Sequence, residues 1–202
     1  MTDILKFWNS FYENKTTPWD LASYAEPFKT YLDSPYCIKS GHVCVIGCGN
    51  GHECDLLIDY NFTVTGIDFA NQAIQNTQNK FKNKGVLNER GFTLQEDFFK
   101  LDLENYFDVI LEHTFFCAIN PKLRYDYVRK IVQMLKPDGY LIALWWIMDK
   151  EDGPPYGVTQ SQIFKYFAKN FNIELAYVPN NSHKTRFNSE LFTVMRLTDK
   201  TI

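Results

Sequence analysis

The sequence has no excess of basic charge and no long apolar run, and each absence excludes a class of protein. Its 202 residues carry 21 Lys and Arg against 24 Asp and Glu, a net charge of −3. Basic side chains supply much of the affinity for nucleic acids and for anionic bilayers, so we expect neither as a partner. Because no stretch approaches about 18 consecutive apolar residues, no membrane span is predicted.

Cysteine is also scarce, and a secretion signal is missing. Five cysteines are an odd number in a chain long enough to bury a core, which favours free thiols in a reducing compartment. The first ten residues lack the basic start and apolar middle of a signal peptide. We therefore expect a cytoplasmic, single-domain protein whose partner is a small molecule. The assigned helices leave no exposed apolar stripe, so we also expect a monomer.

Aromatic residues and alternating strand and helix patterns are abundant. The chain has 17 Phe, 12 Tyr and 4 Trp. Apolar strand-length runs alternate with apolar positions at helical spacing, and the last two strands follow each other without a helix between them. This order predicts an α/β fold, a doubly wound Rossmann-like sheet of seven mostly parallel strands with an antiparallel last strand and helices on both faces. The predicted strands are 43–46, 62–68, 92–97, 106–111, 140–147, 173–178 and 191–197, and helices are predicted near 4–12, 52–59, 71–81, 123–135 and 163–171.

A glycine-rich turn follows the first predicted strand. Glycines at Gly47, Gly49 and Gly51 let the backbone approach a ligand closely, with the N-terminus of the next helix facing it. In an open α/β sheet, ligands bind beyond the carboxyl ends of the strands. Asp68 ends the second strand, 21 residues after Gly47, where its carboxylate can accept from both hydroxyls of an adenosine ribose. A nucleoside cofactor is therefore predicted, with a ligand-free tight turn as the alternative.

The spacing of the glycines distinguishes between two cofactors. A dinucleotide needs a third glycine for close packing of helix and strand, and His52 stands at that position. Asp97 and Phe98 end the third strand, where a carboxylate can accept from the adenine amino group and a phenyl ring can cover the base. These features suit an adenosine without a pyrophosphate. They favour S-adenosylmethionine over NAD.

Further motifs occur in a specific order along almost the whole chain. They are Phe7-Trp8, Thr17-Pro18-Trp19-Asp20, Val45-Ile46-Gly47-Cys48-Gly49-Asn50-Gly51, Gly66-Ile67-Asp68, Glu96-Asp97-Phe98-Phe99, Phe107-Asp108-Val109-Ile110, Thr114-Phe115-Phe116-Cys117-Ala118-Ile119, Leu135-Lys136-Pro137-Asp138-Gly139 and Gly153-Pro154-Pro155-Tyr156. The pattern resembles a class I S-adenosylmethionine-dependent methyltransferase of the thiopurine S-methyltransferase superfamily. It is most similar to the branch of thiol and halide (thiocyanate) methyltransferases.

The resemblance implies a division of the chain and a set of cofactor contacts. Residues 1–40 are expected to form a helical lid segment and residues 41–202 the Rossmann-like core. Gly47 and Gly49 are expected at the methionine part, Asp68 at the ribose, and Asp97 and Phe98 at the adenine. Aromatic rings around the bound sulfonium suit its positive charge. The residues expected in that lid are Trp8, Tyr12 and Trp19, with plain core packing as the alternative for Trp8 and Tyr12.

Three positions depart from the common patterns. Val45 stands where many class I methyltransferases have an acid, but the thiol and halide branch is also apolar there. Tyr12 replaces a more frequent Trp, which preserves a lid and alters the size of the pocket. Glu112 stands where this branch has an acidic residue near the cofactor, although Asp is more usual. We count Glu112 among the cofactor residues, with a solvent-facing side chain as the alternative.

The implied reaction needs no strong acid or base. A soft anion attacks the methyl group of a sulfonium in line, so alignment and exclusion of water can supply the catalysis. We assign no catalytic residue. The expected acceptor site is aromatic, with Phe115, Phe116 and Tyr156 as candidate walls and core packing as the alternative for the two phenylalanines. Arg186 is a candidate to attract an anionic acceptor, and an ordinary solvated arginine is its alternative.

Other functions fit the sequence less well. In amino-group methyltransferases of nucleic acids, an Asn-Pro-Pro-Tyr motif ends strand four, whereas residues 153–156 follow strand five. Residues of metal-ligand type between His42 and Cys54 lie on a buried strand and in the glycine turn, so a tetrahedral metal site is not expected. A non-catalytic protein that binds S-adenosylmethionine stays open as an alternative.

Overall fold

Strands buried on both faces form the framework of the computed structural model, which describes residues 3–200. Strand β1 (His42–Ile46) and strand β2 (Thr63–Asp68) are almost continuously buried, as expected for parallel strands covered by helices. The chain divides into two compact units, of which one ends at Leu101 and the other begins at Asp102. The predicted division into residues 1–40 and 41–202 stays a prediction.

The first unit contains three parallel strands in the order β3-β2-β1. His42 is paired with Thr63 and Ile46 with Ile67, so β1 and β2 end at the same level. The turn after β1 and the residue that ends β2 are thereby brought together. The elements are α1 (Asp3–Glu13), α2 (Glu26–Asp33), β1, α3 (His52–Asp59), β2, α4 (Asn71–Asn83), β3 (Gly91–Gln95) and a 3₁₀ turn (Phe98–Lys100).

The second unit contains four strands in the order β4-β5-β7-β6. The β4 and β5 strands are parallel, and β7 runs antiparallel to both of its neighbours. Its core is aromatic, with Phe116 within 5.3 Å of both Tyr127 and Trp145, ring centre to ring centre. The elements are β4 (Phe107–His113), a 3₁₀ turn (Pro121–Leu123), α5 (Arg124–Met134), β5 (Leu135–Trp146), α6 (Gln160–Phe167), β6 (Phe171–Tyr177) and β7 (Glu190–Leu197).

The predicted fold class is confirmed by these seven strands, which are mostly parallel with an antiparallel last strand. Several boundaries differ from the prediction; helix α6, for example, ends at Phe167 and not at residue 171. β5 begins at Leu135, because Leu135 already pairs with Phe107; residues 136–139, expected only to stop a helix, form an irregularity before regular pairing with β4 resumes at Tyr140. Helix α2 was not predicted, although Phe28, Tyr31 and Leu32 are buried at helical spacing. Across residues 3–200, no helix has the length and apolar character needed to cross a membrane.

The left-handed glycine turn gives a first test of the fold. Gly51 has φ +73°, and a Cβ there would lie 2.6 Å from Thr77 Oγ1. Gly85 has φ +67°, but nothing lies within 4 Å of its Cβ position. We expect Gly51→Ala to destabilise the protein by about 3 kcal/mol and Gly85→Ala by only about 1 kcal/mol, because only the first adds a clash to the backbone strain. Urea unfolding measures both, and equal losses would contradict the predicted contact with Thr77.

Candidate functional site

The turn between β1 and α3 is built from left-handed glycines. Gly47, Gly49 and Gly51 have φ values of +57°, +52° and +73°, a region that other residues rarely adopt. Thr77 Oγ1 donates to the carbonyl of Gly49 at 3.2 Å and so ties the turn to helix α4. A Cβ at Gly49 would project toward the phenol of Tyr12, with its oxygen 3.5 Å away. The glycine keeps this approach open.

Asp68 closes the same turn from the end of β2. The amide of Gly49 donates to its Oδ2 at 3.1 Å, and the amide of Ala70 donates to its Oδ1 at 2.9 Å. Burial nevertheless raises the pKa of Asp68 to about 6, since these backbone hydrogen bonds only partly offset desolvation. A carboxylate has about four acceptor positions. The amides of Gly49, Ala70 and Phe69 lie at this carboxylate, which leaves acceptor capacity for a hydroxyl of a diol.

Aromatic residues of the N-terminal segment form a cluster next to the glycine turn. The ring centre of Trp19 lies 5.2 Å from that of Trp8, 5.1 Å from that of Phe11 and 6.0 Å from that of Tyr12. Burial, together with the negative charge of Asp68, raises the pKa of the Tyr12 phenol. The three predicted lid residues are therefore close together, and Tyr12 connects them to the turn.

Asp20 attaches this aromatic segment to the turn, a role that the sequence reasoning missed. Its carboxylate accepts from the side-chain amide of Asn50 and lies 2.9 Å from Nε2 of His52. Asn50 in turn accepts from the amide of Asn76 at 2.7 Å. The position of Asp20 directly after Trp19, in a motif that was recognised, is the signal that could have identified it.

Asp97 and Phe98 lie in the turn that follows β3. The Asp97 carboxylate caps the 3₁₀ turn by accepting from the amide of Phe99 at 3.1 Å, and it lies 3.8 Å from Lys100 Nζ. Phe98 is buried, and its ring centre lies 5.2 Å from that of Phe99. The structure therefore places Asp97 at a strand end with one oxygen bound to the backbone.

In the second unit, Glu112 is a buried carboxylate at the end of β4, with 1% of its surface exposed. Its Oε1 accepts from the amides of Phe115 and Phe116 at 2.9 and 3.0 Å, and its Oε2 accepts from the hydroxyl of Tyr127 at 2.9 Å. Burial raises the pKa of Glu112 to about 7. The solvent-facing alternative is wrong, and the described contacts of this side chain hold the loop after β4.

Two loops that carry candidate acceptor residues are joined by hydrogen bonds. The amide of Tyr156 donates to the carbonyl of Cys117 at 2.7 Å. Arg124 is buried, donates to the carbonyls of Tyr156 and Gly157 at 3.4 and 2.9 Å, and stacks 4.8 Å from the centre of the Phe116 ring. The sequence reasoning did not single out Arg124, since a residue in the first turn of a helix gives no motif signal.

The aromatic candidates differ in burial. Phe116 is 1% exposed and packs among several aromatic rings, whereas Phe115 and Tyr156 are partly exposed. The ring centre of Phe115 lies 6.1 Å from that of Tyr127. Phe116 is therefore part of the core, and Phe115 and Tyr156 keep surface that a ligand can contact.

Arg186 is buried rather than solvated, so the alternative of an ordinary surface arginine is wrong. Its guanidinium stacks 4.8 Å from the ring centre of Trp146 and lies 2.9 Å from Nε2 of His113. Glu190 Oε1 lies 3.6 Å from the guanidinium, too far for a hydrogen bond. An arginine, a histidine and a glutamate thus meet at the strand ends of the second unit.

The cysteine and histidine residues near β1 give no metal site. Within residues 3–200, no group of three or more side chains is arranged to hold a metal ion. All five cysteines are buried free thiols, as predicted. Helix α3 approaches β2 closely at Gly66, where a Cβ would lie 3.2 Å from Sγ of Cys54. Gly66 therefore leaves room on β2 for the thiols of Cys48 and Cys54.

The fold is that of the S-adenosylmethionine-dependent methyltransferases. A solved structure described as a SAM-dependent methyltransferase from Methanosarcina mazei matches with a TM-score of 0.68 at 16% identity, over 87% of this chain and 98% of that one. At this identity the likeness concerns the fold alone.

The chain belongs to the thiopurine S-methyltransferase (TPMT) family, whose sequence model matches residues 4–201. A probable thiol methyltransferase 2 of Arabidopsis thaliana is 33% identical over 160 residues, or 78% of this chain and 70% of the relative. Thiocyanate methyltransferase 1 of Brassica oleracea is 32% identical over 155 residues, which cover 76% of this chain and 68% of the relative. The resemblance stated from the motifs is confirmed, and the chain is an S-adenosylmethionine-dependent methyltransferase.

The described residues of the first unit fit this cofactor. S-Adenosylmethionine supplies an electrophilic methyl group on a positively charged sulfur. A Cβ at position 49 would narrow the space between Gly49 and Tyr12. The aromatic cluster around Trp19 suits the positive charge of the sulfonium. The carboxylate of Asp68 keeps acceptor capacity for the diol of the ribose. The individual contacts of these residues with the cofactor stay predictions.

Burial of Glu112 predicts a pH-dependent effect on stability. The folded state holds this proton more tightly than the unfolded state, so Glu112 lowers stability as pH rises from 4.5 to about 7. Glu112→Gln keeps an oxygen for the two amides and removes the buried charge. We expect the variant to be more stable than wild type at pH 8 by on the order of 3 kcal/mol, with little difference at pH 5.

Urea unfolding at the two pH values measures this effect, and Glu174→Gln on the exposed face of β6 is the matched control. A Glu112→Gln variant that is less stable at pH 8 would show that the charge itself is required.

Proposed function

We propose that this methyltransferase transfers its methyl group to a small soft nucleophile: a thiol, thiopurine, thiocyanate, hydrosulfide or halide. The observation that carries the proposal is the identity of 32–33% to proteins named as thiol and thiocyanate methyltransferases. The aromatic surroundings of the second unit's candidate site agree, since soft and weakly hydrated acceptors bind well among aromatic rings. The acceptor is a small molecule, and a cytoplasmic monomer that binds no nucleic acid stays our expectation.

The first unit is proposed to bind and orient the cofactor. Gly47 and Gly49 face its methionine part, Asp68 accepts from the ribose hydroxyls, and Asp97 and Phe98 contact the adenine. Trp8, Tyr12 and Trp19 cover the sulfonium and exclude water from it. Asp20 supports this arrangement because it holds Trp19 to the residues that follow the glycine turn. Excluding water strips the nucleophile of its hydration shell. The nucleophile can then attack the methyl carbon in line with the bond to the cofactor sulfur.

The second unit is proposed to bind the acceptor. Phe115 and Tyr156 form its walls, and Phe116 supports them from the core. Arg124 positions the loop of Tyr156, while Arg186 supplies positive charge for an anionic acceptor. Glu112, which was expected near the cofactor, is proposed to act by holding the loop of Phe115, because its described contacts lie there.

Turnover with a panel of acceptors tests the function. Purified protein with S-adenosylmethionine should form methylated product from small thiols, thiocyanate and iodide, and mass spectrometry or gas chromatography detects it. Tyr156→Ala should raise the KM for the acceptor about tenfold or more through loss of a wall, with the affinity for S-adenosylmethionine unchanged. Tyr125→Ala, an exposed tyrosine of the same unit, is the control. Methylation of amines alone would contradict the proposal.

The pKa of Asp68 predicts how cofactor binding depends on pH. The ribose is expected to bind the ionised carboxylate, so affinity for S-adenosylmethionine should fall as pH drops through about 6. Asp68→Asn should bind about tenfold or more weakly at pH 8 and lose this pH dependence, because a charged hydrogen-bond acceptor is removed. Calorimetry from pH 5 to 8 measures both, with the exposed Asp33→Asn as control. An unchanged pH profile in Asp68→Asn would remove Asp68 from the ribose site.

A further inference from the structure

Glu190 has a buried oxygen without a hydrogen-bond donor. It begins β7, opposite Trp146 at the carboxyl end of β5, and 1% of its side chain is exposed. Its Oε1 is one of three buried side-chain atoms in residues 3–200 that have no hydrogen-bond partner. Such a group is costly to bury, and in native proteins it calls for a reason.

The groups around this carboxylate leave the acceptor capacity of its Oε1 unused. Arg186 lies 3.6 Å from Oε1, within range of an ion pair, but its Nη1 is directed to Nε2 of His113 at 2.9 Å. The Arg186 guanidinium also stacks on Trp146. The carboxylate of Glu190 therefore lies beside a positive charge, and its Oε1 can still accept a hydrogen bond.

We propose that Glu190 is a catalytic base, which accepts the proton of acceptors that carry an S–H group. This inference rests on the proposed function and deepens it, because it separates protonated acceptors from proton-free ones. Thiocyanate and iodide have no proton to lose and need no base. A thiol or hydrosulfide loses one on methylation.

The proposed step is balanced. A lone pair of the thiol sulfur forms the new S–CH₃ bond while the bond from that carbon to the cofactor sulfur breaks, and its electron pair stays on the cofactor sulfur. The S–H proton passes to Oε1 of Glu190 and then to water, which leaves a neutral thioether and S-adenosylhomocysteine. The proton becomes strongly acidic as the sulfur acquires the methyl group, so a carboxylate suffices as base.

Replacing Glu190 separates the two kinds of acceptor. In Glu190→Gln, the ratio of thiol to iodide turnover at pH 7 should fall about 100-fold, since general bases contribute on the order of 10²–10⁴. Raising the pH through the ordinary thiol pKa of about 8.5 should restore thiol turnover, because solvent then supplies the thiolate. Glu174→Gln should leave the ratio unchanged. An unchanged ratio in a folded Glu190→Gln variant, or equal losses with both acceptors, would overturn the proposal.

Binding without turnover gives a second readout. With S-adenosylhomocysteine present, Glu190→Gln should bind a small thiol more weakly and thiocyanate more tightly, because it loses a proton acceptor and exposes the charge of Arg186. Calorimetry measures both dissociation constants. A parallel weakening of both ligands would show a structural role only and would contradict the proposal.

A measurement on the wild-type protein tests the proposal even if the Glu190→Gln variant fails to fold. At pH 7, the turnover of thiols of graded acidity should fall much less than tenfold for each unit of thiol pKa. Turnover proportional to the free thiolate would overturn the role of Glu190 but leave the proposed function intact. Absence of turnover with every acceptor would overturn the proposed function, and with it this proposal.

Discussion

The hydrogen bond between the amide of Gly49 and the carboxylate of Asp68 holds the glycine turn of the first unit against the end of β2. It forms because three left-handed glycines turn the chain back over the end of β2, where the register of β1 and β2 places Asp68. The aromatic residues of the N-terminal segment are attached to the same turn through the carboxylate of Asp20, which accepts from the side-chain amide of Asn50. Asp68 therefore closes the turn structurally and is also the residue that we propose as the acceptor for the ribose hydroxyls.

The second unit depends on buried charge in a different way. Both oxygens of Glu112 have hydrogen-bond donors, two amides and a hydroxyl, so this buried side chain holds the loop that carries Phe115. Arg186 and Glu190 are buried as well, but among the described residues Oε1 of Glu190 has no hydrogen-bond donor. Incompletely satisfied buried charge costs stability and is retained where chemistry needs it. This contrast separates a charge that supports the loop from one that we assign to the reaction.

Local patterns predicted most of the fold and only part of the site. The seven strands were predictable because apolar runs and glycine turns are local signals, and the motif order predicted the family. The start of β5 at Leu135 was missed because it depends on pairing with Phe107, which is distant in sequence. The contacts of Asp20 and Arg124 were also missed, since their partners are distant in sequence, and so was the burial of Glu190, which lies opposite Trp146. Arg186 was singled out by its charge, but its burial on Trp146 was not predictable from a polar loop.

The central claim is that the glycine turn and Asp68 bind an adenosine that carries a sulfonium and no pyrophosphate. Calorimetric titration of the purified protein with S-adenosylmethionine, NAD and NADP in separate experiments tests it most directly. The account predicts saturable binding of S-adenosylmethionine to one site per chain and no binding of either dinucleotide. Binding of NAD or NADP without binding of S-adenosylmethionine would contradict the claim and the roles assigned to Gly49 and Asp68.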